Sequence, residues 1–193
     1  MTLKVGINGF GRIGRMILRS IIEQNRKDLE VVAINNRSNA ETSSFLLIND
    51  TVHGKLKSKI NHSEKAINID GKKINMIQEN EISKIDWKKY KVNIVLECTG
   101  KFNTKEKSSQ HINSGANKVI VSAPCKGAKS IIYGVNEKNL KSSDQVISAA
   151  SCTTNCLAPI AQTLNEDFGI ERGFMTTIHS YTCLLYTSDA ADE

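Results

Sequence analysis

The first 35 residues alternate between short apolar runs and a helical pattern. Residues 3–8, "LKVGIN", and residues 29–35, "LEVVAIN", are short and rich in branched aliphatic side chains. Between them, in residues 12–24, isoleucines recur on one face at helical spacing. The pattern predicts a strand, a helix and a second strand, and such a βαβ unit pairs its strands in parallel through a right-handed crossover.

The same order returns later in the chain. "VNIVLECTG" (92–100) predicts a strand, residues 104–114 a helix, and "NKVIVSAP" (117–124) another strand. Two further extended runs, 130–136 and 145–151, precede a helix that opens near Thr153. This alternation predicts an α/β fold with a Rossmann-like, doubly wound sheet. "AINID" and "KINMI", which flank an Asp70-Gly71 turn and Lys72, predict a hairpin, interpreted as a peripheral insertion.

A glycine-rich turn joins the first strand to the first helix. Gly9, Gly11 and Gly14 form G-x-G-x-x-G in the strand-to-helix context that dinucleotide binding requires. The first glycine permits the tight turn, the second permits close approach of a pyrophosphate, and the third permits helix-to-strand packing. The alternative is that these glycines only make a tight turn.

The end of the second strand bears on the choice of cofactor. A carboxylate there usually accepts hydrogen bonds from the adenosine ribose and repels a 2′-phosphate. This chain has Asn35-Asn36-Arg37 instead. An amide can bond a hydroxyl without repelling phosphate, so NAD is the expected cofactor and NADP is not excluded.

Charge and composition limit the classes of partner that the chain could bind. The 193-residue chain carries a formal charge of +6, and its lysines are scattered. A solvated lysine-rich surface and attraction for anionic small molecules or nucleic acid both remain open, although 5% aromatic residues are few for base stacking. No apolar run is long enough for a bilayer, and the N-terminus lacks a secretory pattern, so we expect a cytoplasmic protein without a membrane partner.

The segment "SCTTNC" (151–156) raises the question of a reactive thiol. The five cysteines are irregularly spaced and expected to be free. Cys152 lies at a helix entrance, where the dipole favours thiolate, whereas Cys156 falls on an inward pattern with Ile160 and Leu164 and is interpreted as a core residue. No suitable ligand spacing supports a metal site, so none is expected.

A histidine supports the nucleophile hypothesis. "FMTTIHSYT" (174–182) predicts a strand containing His179, and a thiol with an imidazole elsewhere in the chain makes a plausible nucleophile and base. The other three histidines, His53, His62 and His111, are interpreted as exposed.

Five motifs together resemble one enzyme family. They are "GINGFGRIGR" (6–15), "ECTG" (97–100), "VSAP" (121–124), "ASCTTNC" (150–156) and "TTIHSYT" (176–182). In this order they resemble the glyceraldehyde-3-phosphate dehydrogenases. The resemblance covers residues 1–182.

The resemblance implies a role for each matching residue. Cys152 is the expected nucleophile and His179 its base, while Ser151, Thr153 and Thr182 are expected to bind phosphate groups of the substrate or inorganic phosphate. Expected cofactor contacts are Gly9, Gly11, Arg12, Ile13, Gly14, Asn36, Thr99 and Ser122. Asn36 stands where the family commonly has Asp.

The resemblance also implies a reaction. The Cys152 thiolate adds to the aldehyde of glyceraldehyde 3-phosphate, His179 takes the hydroxyl proton as hydride leaves for NAD(P), and inorganic phosphate attacks the thioester to give 1,3-bisphosphoglycerate. The alternatives are an erythrose-4-phosphate dehydrogenase, or a noncatalytic nucleotide- or RNA-binding module, although nucleic acid is the less expected partner.

The domain organisation follows from the same resemblance. Residues 1–151 are expected to form a dinucleotide-binding domain, and 152–182 to begin an incomplete, truncated α+β catalytic domain. Residues 183–193 are interpreted as a tail of doubtful origin. The fragment is expected to be inactive alone, and the complete enzyme to be a homotetramer.

Overall fold

The computed structural model describes residues 2–179, and a nine-stranded sheet forms its centre. The strands are β1 Leu3–Asn8, β2 Leu29–Asn35, β3 Asn49–Asp50, β4 Gly54–Lys55, β5 Ile60–Ser63, β6 Ala66–Ile69, β7 Lys72–Ile77, β8 Ile94–Glu97, β9 Lys118–Val121, β10 Lys129–Ser130 and β11 Val146–Ser148. The helices are α1 Arg12–Glu23, α2 Ala40–Ile48, α3 Lys105–Asn113 and α4 Cys152–Phe168.

The strand order is that of a doubly wound sheet. It runs β10-β11-β9-β8-β1-β2-β7-β6-β5, and neighbouring strands are parallel from β10 to β7. From β1 the chain first adds β2 and β7 on one side, and then β8, β9 and β11 on the other. The order therefore reverses between β1 and β8, and ligands of such sheets bind at the carboxyl ends of the strands at this point. The predicted Rossmann-like fold is confirmed.

The predicted hairpin exists, but its position differs from the prediction. β6 and β7 are antiparallel around Asp70 and Gly71, whose φ angles of 49° and 83° suit a type I′ turn. β7 also pairs in parallel with β2, so the hairpin extends the central sheet and is not a peripheral insertion. Ile67 and Ile74 of the hairpin are buried in the same core cluster as Ile34, which explains this placement.

One helix was absent from the sequence-based prediction. α2 begins after Asn39, whose side chain accepts a hydrogen bond from the Thr42 N–H at 2.8 Å. Buried Ser43 and Ser44 lie on its inner face, so polar residues occupy positions where an apolar pattern would have indicated a helix. The N-capping residue Asn39 was a local feature that could have indicated the start of this helix.

Two predicted extended segments are wrong within the described residues. In the run 130–136 only Ser130 belongs to a strand, because Gly134 takes a φ of 84° and the Asn136 Oδ1 accepts a hydrogen bond from the Ile132 N–H at 2.8 Å. Residues 174–179 form no strand. Phe174 and Ile178 are fully exposed, and a strand needs a neighbour to satisfy its backbone groups.

Aliphatic residues from the sheet and α1 form the main core, and a second cluster surrounds the single tryptophan, Trp87. α4 differs, since none of its residues is buried. Within residues 2–179, no helix has both the length and the apolar character needed to cross a membrane.

Candidate active site

A cavity of about 250 Å³ lies at the carboxyl ends of β1, β2, β7 and β8. Four of the predicted cofactor contacts line it: Gly9, Gly11, Asn36 and Thr99. The parallel strands bring these residues together, although they lie up to 90 positions apart in the chain. The cavity occupies the switch point of the sheet, where a dinucleotide site is expected.

The three glycines meet three different steric demands. Gly9 has a φ of 92°, and a Cβ there would lie 2.8 Å from the backbone N of Thr99. A Cβ on Gly14 would lie 2.2 Å from the Gly9 carbonyl oxygen, so this glycine allows α1 to pack against the turn. Nothing lies within 4 Å of a Cβ built on Gly11, and this residue lines the cavity. Open space at Gly11 suits the close approach of a pyrophosphate, so these residues fit a dinucleotide.

The start of α1 supplies backbone donors rather than a free guanidinium. The first N–H groups of a helix have no intrahelical acceptor and favour anions. The Arg12 side chain points to Asp50, with Nη1 to Oδ2 at 2.8 Å. Asp50 also accepts hydrogen bonds from the Val52 and His53 N–H groups, and these bonds, chiefly that from His53, lower its pKa to about 2. Ile13 is half exposed in the same turn.

Asn36 lies in the cavity wall with its side chain engaged. Its Oδ1 accepts a hydrogen bond from the Phe10 N–H at 3.4 Å, and its Nδ2 donates to Ser43 Oγ at 3.3 Å. Exposed Arg37 and Lys101 also line the cavity. Glu79 also lines the cavity, so the two cations face one carboxylate, and the excess of positive charge suits an anionic ligand.

A buried polar cluster lies beneath the cavity, and the sequence did not indicate it. His111, predicted to be exposed, is fully buried, as are Glu97 and Trp87. The Trp87 indole N–H donates to His111 Nδ1 at 2.9 Å, and His111 Nε2 lies 2.9 Å from Glu97 Oε2. The prediction for His111 is therefore wrong, because α3 packs this residue against the sheet, where Trp87 and Glu97 satisfy both ring nitrogens.

Ser122 lies next to the cavity rather than in its wall. Its N–H donates to the Glu97 carbonyl oxygen at 3.0 Å. Burial raises the pKa of the Cys98 thiol to about 11. Cys98 lines the cavity, but at neutral pH it is a poor nucleophile because little of it is thiolate.

Cys152 is the first residue of α4 and is exposed. Ser151 caps the helix, and its Oγ accepts a hydrogen bond from the Thr154 N–H at 3.0 Å. Asn155, which sequence reasoning overlooked, donates through Nδ2 to the carbonyl oxygens of Ala149 and Ser151 at 2.7 and 2.8 Å. Its side chain thereby fixes the turn that leads from β11 to the cysteine.

His179 lies beside the first turn of α4. Its Nε2 is 3.4 Å from Thr153 Oγ1, so two predicted site residues are close together. No hydrogen bond joins Cys152 to His179 in the part of the chain that the structure describes. Thr182 lies outside the described residues.

The two groups of site residues share one edge of the sheet. The glycine turn follows β1, and α4 follows β11, with β8 and β9 between these two strands. Three strand spacings correspond to roughly 14 Å. The cavity and the α4 entrance are thus laid out along the same carboxyl edge.

The predicted burial of Cys156 is wrong. Cys156 is exposed, and Ile160 and Leu164 on the same helical face are 55% and 46% exposed. The spacing does give one apolar face, but no described element packs against it. Within residues 2–179, no group of three or more His, Cys, Asp or Glu side chains is arranged to hold a metal ion.

Two family models match the chain. Residues 3–105 match the NAD binding domain of glyceraldehyde 3-phosphate dehydrogenase, and residues 151–193 match the C-terminal domain of the same family. The first match includes the glycine turn and Thr99. The second begins at Ser151.

Curated relatives give the same result. A glyceraldehyde-3-phosphate dehydrogenase of Cereibacter sphaeroides is 49% identical over 183 residues, which are 94% of this chain and 54% of the relative. Another, from Thermotoga maritima, is 47% identical over 180 residues, or 93% of this chain and 54% of the relative. The chain spans about half the length of the curated relatives that it matches.

Proposed function

Because the chain belongs to the glyceraldehyde-3-phosphate dehydrogenase family, we propose that it supplies the NAD site and the nucleophile of an enzyme that oxidises glyceraldehyde 3-phosphate with inorganic phosphate. The observation that carries the proposal is the shared edge of the sheet. A cavity lined by the glycine turn and an exposed cysteine at a helix N-terminus lie along it.

Each residue has a distinct chemical task in this proposal. The Cys152 sulfur forms a bond to the aldehyde carbon, and the carbonyl oxygen takes up a proton to become a hydroxyl. His179 removes that proton when the carbon is oxidised to a thioester. Phosphate then attacks the thioester carbon, the C–S bond breaks, and Cys152 is released as thiolate with 1,3-bisphosphoglycerate as product. Bound NAD supplies a hydride acceptor.

Hydroxyl groups near the cysteine are proposed to hold phosphate. Thr153 Oγ1 lies close to His179 and belongs to the first turn of α4, whose N–H groups favour anions. The Ser151 Oγ is already engaged in the cap with Thr154, so phosphate would compete with or extend that bond. Thr182 is proposed on the sequence motif alone.

NAD is the proposed cofactor, and NADP is an open second choice. The NAD description of the matching family model supports the first. Asn36 and Arg37 in the cavity wall support the second, because an amide beside a guanidinium does not repel a 2′-phosphate. A cytoplasmic homotetramer is proposed for the complete enzyme on the family resemblance, and size-exclusion chromatography with light scattering tests the assembly.

The 193-residue chain is proposed to bind NAD weakly at best and not to turn over substrate. α4 buries none of its residues, and within residues 2–179 the one hydrogen-bond contact of His179 is a long one, to Thr153. A base must be within hydrogen-bond reach of the proton that it removes, and no described element fixes His179 there.

The experiment compares the 193-residue chain with one in which a homologous enzyme's remaining half follows Thr182. Both are assayed for phosphate-dependent reduction of NAD and NADP with glyceraldehyde 3-phosphate. We expect turnover only in the completed protein, and its loss by at least about 10⁴-fold on Cys152→Ser. Equal turnover by both proteins would refute the proposed inactivity. A completed protein that is inactive although it binds NAD would refute the proposed reaction.

A further inference from the structure

Three side chains form a hydrogen-bonded row across the carboxyl edge of the sheet. Asn8 is the register partner of Asn35 on one side and of Glu97 on the other. Asn35 Nδ2 donates to Asn8 Oδ1 at 2.8 Å, and Asn8 Nδ2 donates to Glu97 Oε2 at 2.5 Å. All three residues are at most 7% exposed. We call this row the Asn35–Asn8–Glu97 ladder.

The direction of every bond in the ladder is fixed at its ends. At one end the Glu79 N–H donates to Asn35 Oδ1 at 2.8 Å, and Asn35 Nδ2 donates to the Glu79 carbonyl oxygen at 2.9 Å. Flipping the Asn35 amide would place its NH₂ group against the Glu79 N–H and its oxygen against two acceptors, Glu79 O and Asn8 Oδ1, so the Glu79 backbone sets its orientation. Asn8 is oriented in turn, with its NH₂ group towards Glu97.

The Glu97 carboxylate receives four donors. One oxygen accepts from Asn8 Nδ2 and His111 Nε2, and the other accepts from the Thr99 N–H at 2.7 Å and from the Thr99 hydroxyl. His111 must donate through Nε2, because its Nδ1 accepts the Trp87 N–H. A group that meets donors on both oxygens is acceptor-only, so the ladder ends in a carboxylate.

This arrangement connects directly to the NAD cavity. Asn8, Asn35, Glu79 and Thr99 all line the cavity, whereas Glu97 lies beneath it. Thr99 also packs against Gly9, where an added Cβ would lie 2.8 Å from the Thr99 N and from its Cγ2. The position of Thr99 therefore sets the space available to the glycine turn.

We propose that Glu97 is a positioning residue for NAD: its carboxylate holds Thr99 against the glycine turn and orients Asn8 and Asn35 in the cavity wall. The inference rests on the NAD site of the proposed function. Glu97 does not touch the cofactor itself. It fixes the backbone and the amides that do.

Glu97→Gln is the direct test because it keeps the shape of the side chain. The new NH₂ group must face either the two Thr99 donors or the donors of Asn8 and His111, so at least one donor loses its acceptor. We expect NAD to bind the variant about 10- to 100-fold more weakly, which corresponds to the loss of one bond to a charged group.

Trp87→Phe is the matched control for a purely structural effect. It removes the bond to His111 Nδ1 within the same buried cluster but leaves the Asn8 and Thr99 donors of Glu97 in place. NAD affinity of the chain as given is measured by calorimetry for the parent and both variants, below their thermal unfolding temperatures. The amide ¹⁵N–¹H resonance of Thr99 is recorded in each protein.

For Glu97→Gln we expect weaker NAD binding and an upfield shift of the Thr99 amide resonance. For Trp87→Phe we expect NAD affinity within about twofold of the parent and no shift of the Thr99 amide resonance. NAD affinity within about twofold of the parent in Glu97→Gln would overturn the inference. A parallel loss of affinity and stability in both variants would overturn it as well. If the parent chain binds no NAD, both the proposed NAD site and the inference about Glu97 are refuted. The parent is measured first, so this result is distinguished from an effect of either variant.

Discussion

Apolar side chains recur in both the sheet region and helix α4, but they are buried in the sheet region and exposed in α4. In the sheet region, Ile7, Ile34 and Ile67 are fully buried. In α4, Ile160 is 55% exposed and Phe168 is 82% exposed, although the helix is the longest in the described chain. The difference shows that the proposed cofactor cavity is built from elements that cover one another, whereas Cys152, the proposed nucleophile, lies on a helix without a described partner.

The contrast extends to the site residues. Glu97 beneath the cavity accepts hydrogen bonds from four donors, which belong to buried Asn8 and His111 and to half-buried Thr99. Among the described residues, His179 has one hydrogen-bond contact, at 3.4 Å, and is exposed. A site whose supporting residues are satisfied is held in one geometry, and this distinguishes the NAD cavity from the α4 entrance.

The largest expected effect is at the glycine turn. Gly14→Ala should destabilise the sheet region by about 4 kcal/mol, because its Cβ would meet the Gly9 carbonyl oxygen at 2.2 Å and backbone atoms cannot move aside cheaply. Gly11→Ala is the matched control, since its Cβ meets nothing within 4 Å. We expect it to change the free energy of unfolding by less than about 0.5 kcal/mol while weakening NAD binding.

Urea unfolding and NAD calorimetry of the two glycine variants check this pair. Equal free energies of unfolding for the two variants would show that the close packing at Gly14 does not contribute to stability. Unchanged NAD affinity in Gly11→Ala would contradict the approach of the pyrophosphate at that residue.

The second prediction compares two apolar truncations. Ile34→Ala should cost about 3 kcal/mol of unfolding free energy, because the side chain is fully buried in the main core. Leu164→Ala, at 46% exposure on α4, should cost less than about 0.5 kcal/mol. When a homologous enzyme's remaining half follows Thr182, the cost of Leu164→Ala should rise, because truncating a covered apolar side chain costs more than truncating an exposed one.

Urea unfolding of both variants, in the chain as given and in the completed enzyme, is the measurement. A cost of several kcal/mol for Leu164→Ala in the chain as given would show that α4 already packs against something, and the contrast between the two regions would fail.

The third prediction concerns thiol reactivity and its dependence on pH. Burial raises the pKa of Cys98 from 9.0 to about 11, so its thiolate fraction near pH 7.5 is about 100-fold below that of an ordinary thiol. Exposed Cys152, at the N-terminus of α4, should therefore be alkylated by iodoacetamide at least about 100-fold faster than Cys98. The Cys98 rate should rise about tenfold per pH unit until the pH approaches 11.

Peptide mapping by mass spectrometry follows each cysteine separately. Cys156 is the control for exposure, because it is also exposed but lies one turn inside the helix. Faster modification of Cys156 than of Cys152 would contradict the special position of Cys152. Rapid modification of Cys98 at neutral pH would show that the NAD cavity is less closed than the structure indicates.

Local patterns predicted much of the fold. β1, α1 and β2 begin where the pattern places them, and α1 ends within one residue of its predicted end, because strand and helix periodicity and the glycine turn are encoded within a few residues. The run 130–136 was predicted wrongly, since a branched aliphatic pair next to Gly134 resembles a strand when the turn geometry is unknown. α2 was missed because its buried face carries serines.

The sequence likewise predicted some residues of the candidate site and missed others. The motifs identified the glycines, Asn36, Thr99 and Cys152 as site residues, and their functional roles remain predictions. No local pattern indicated that Asn8, Asn35 and His111 belong to one cluster, because they come from β1, β2 and α3 and lie up to 103 positions apart in the chain. Asn155 was noted only as part of a motif, although its side chain donates hydrogen bonds to the backbone of the turn before Cys152.

The sequence by itself determined the βαβ order, the dinucleotide turn and the family, because each depends on residues that are close in the chain or on motifs in a fixed order. Only the tertiary structure decided which apolar faces are buried and which polar side chains meet. Ile34 and Ile160 illustrate the first, since burial depends on what packs opposite a residue. Glu97 illustrates the second, because parallel pairing of β1 with β2 and β8 brings Asn35, Asn8 and Glu97 into one row that no local pattern encodes.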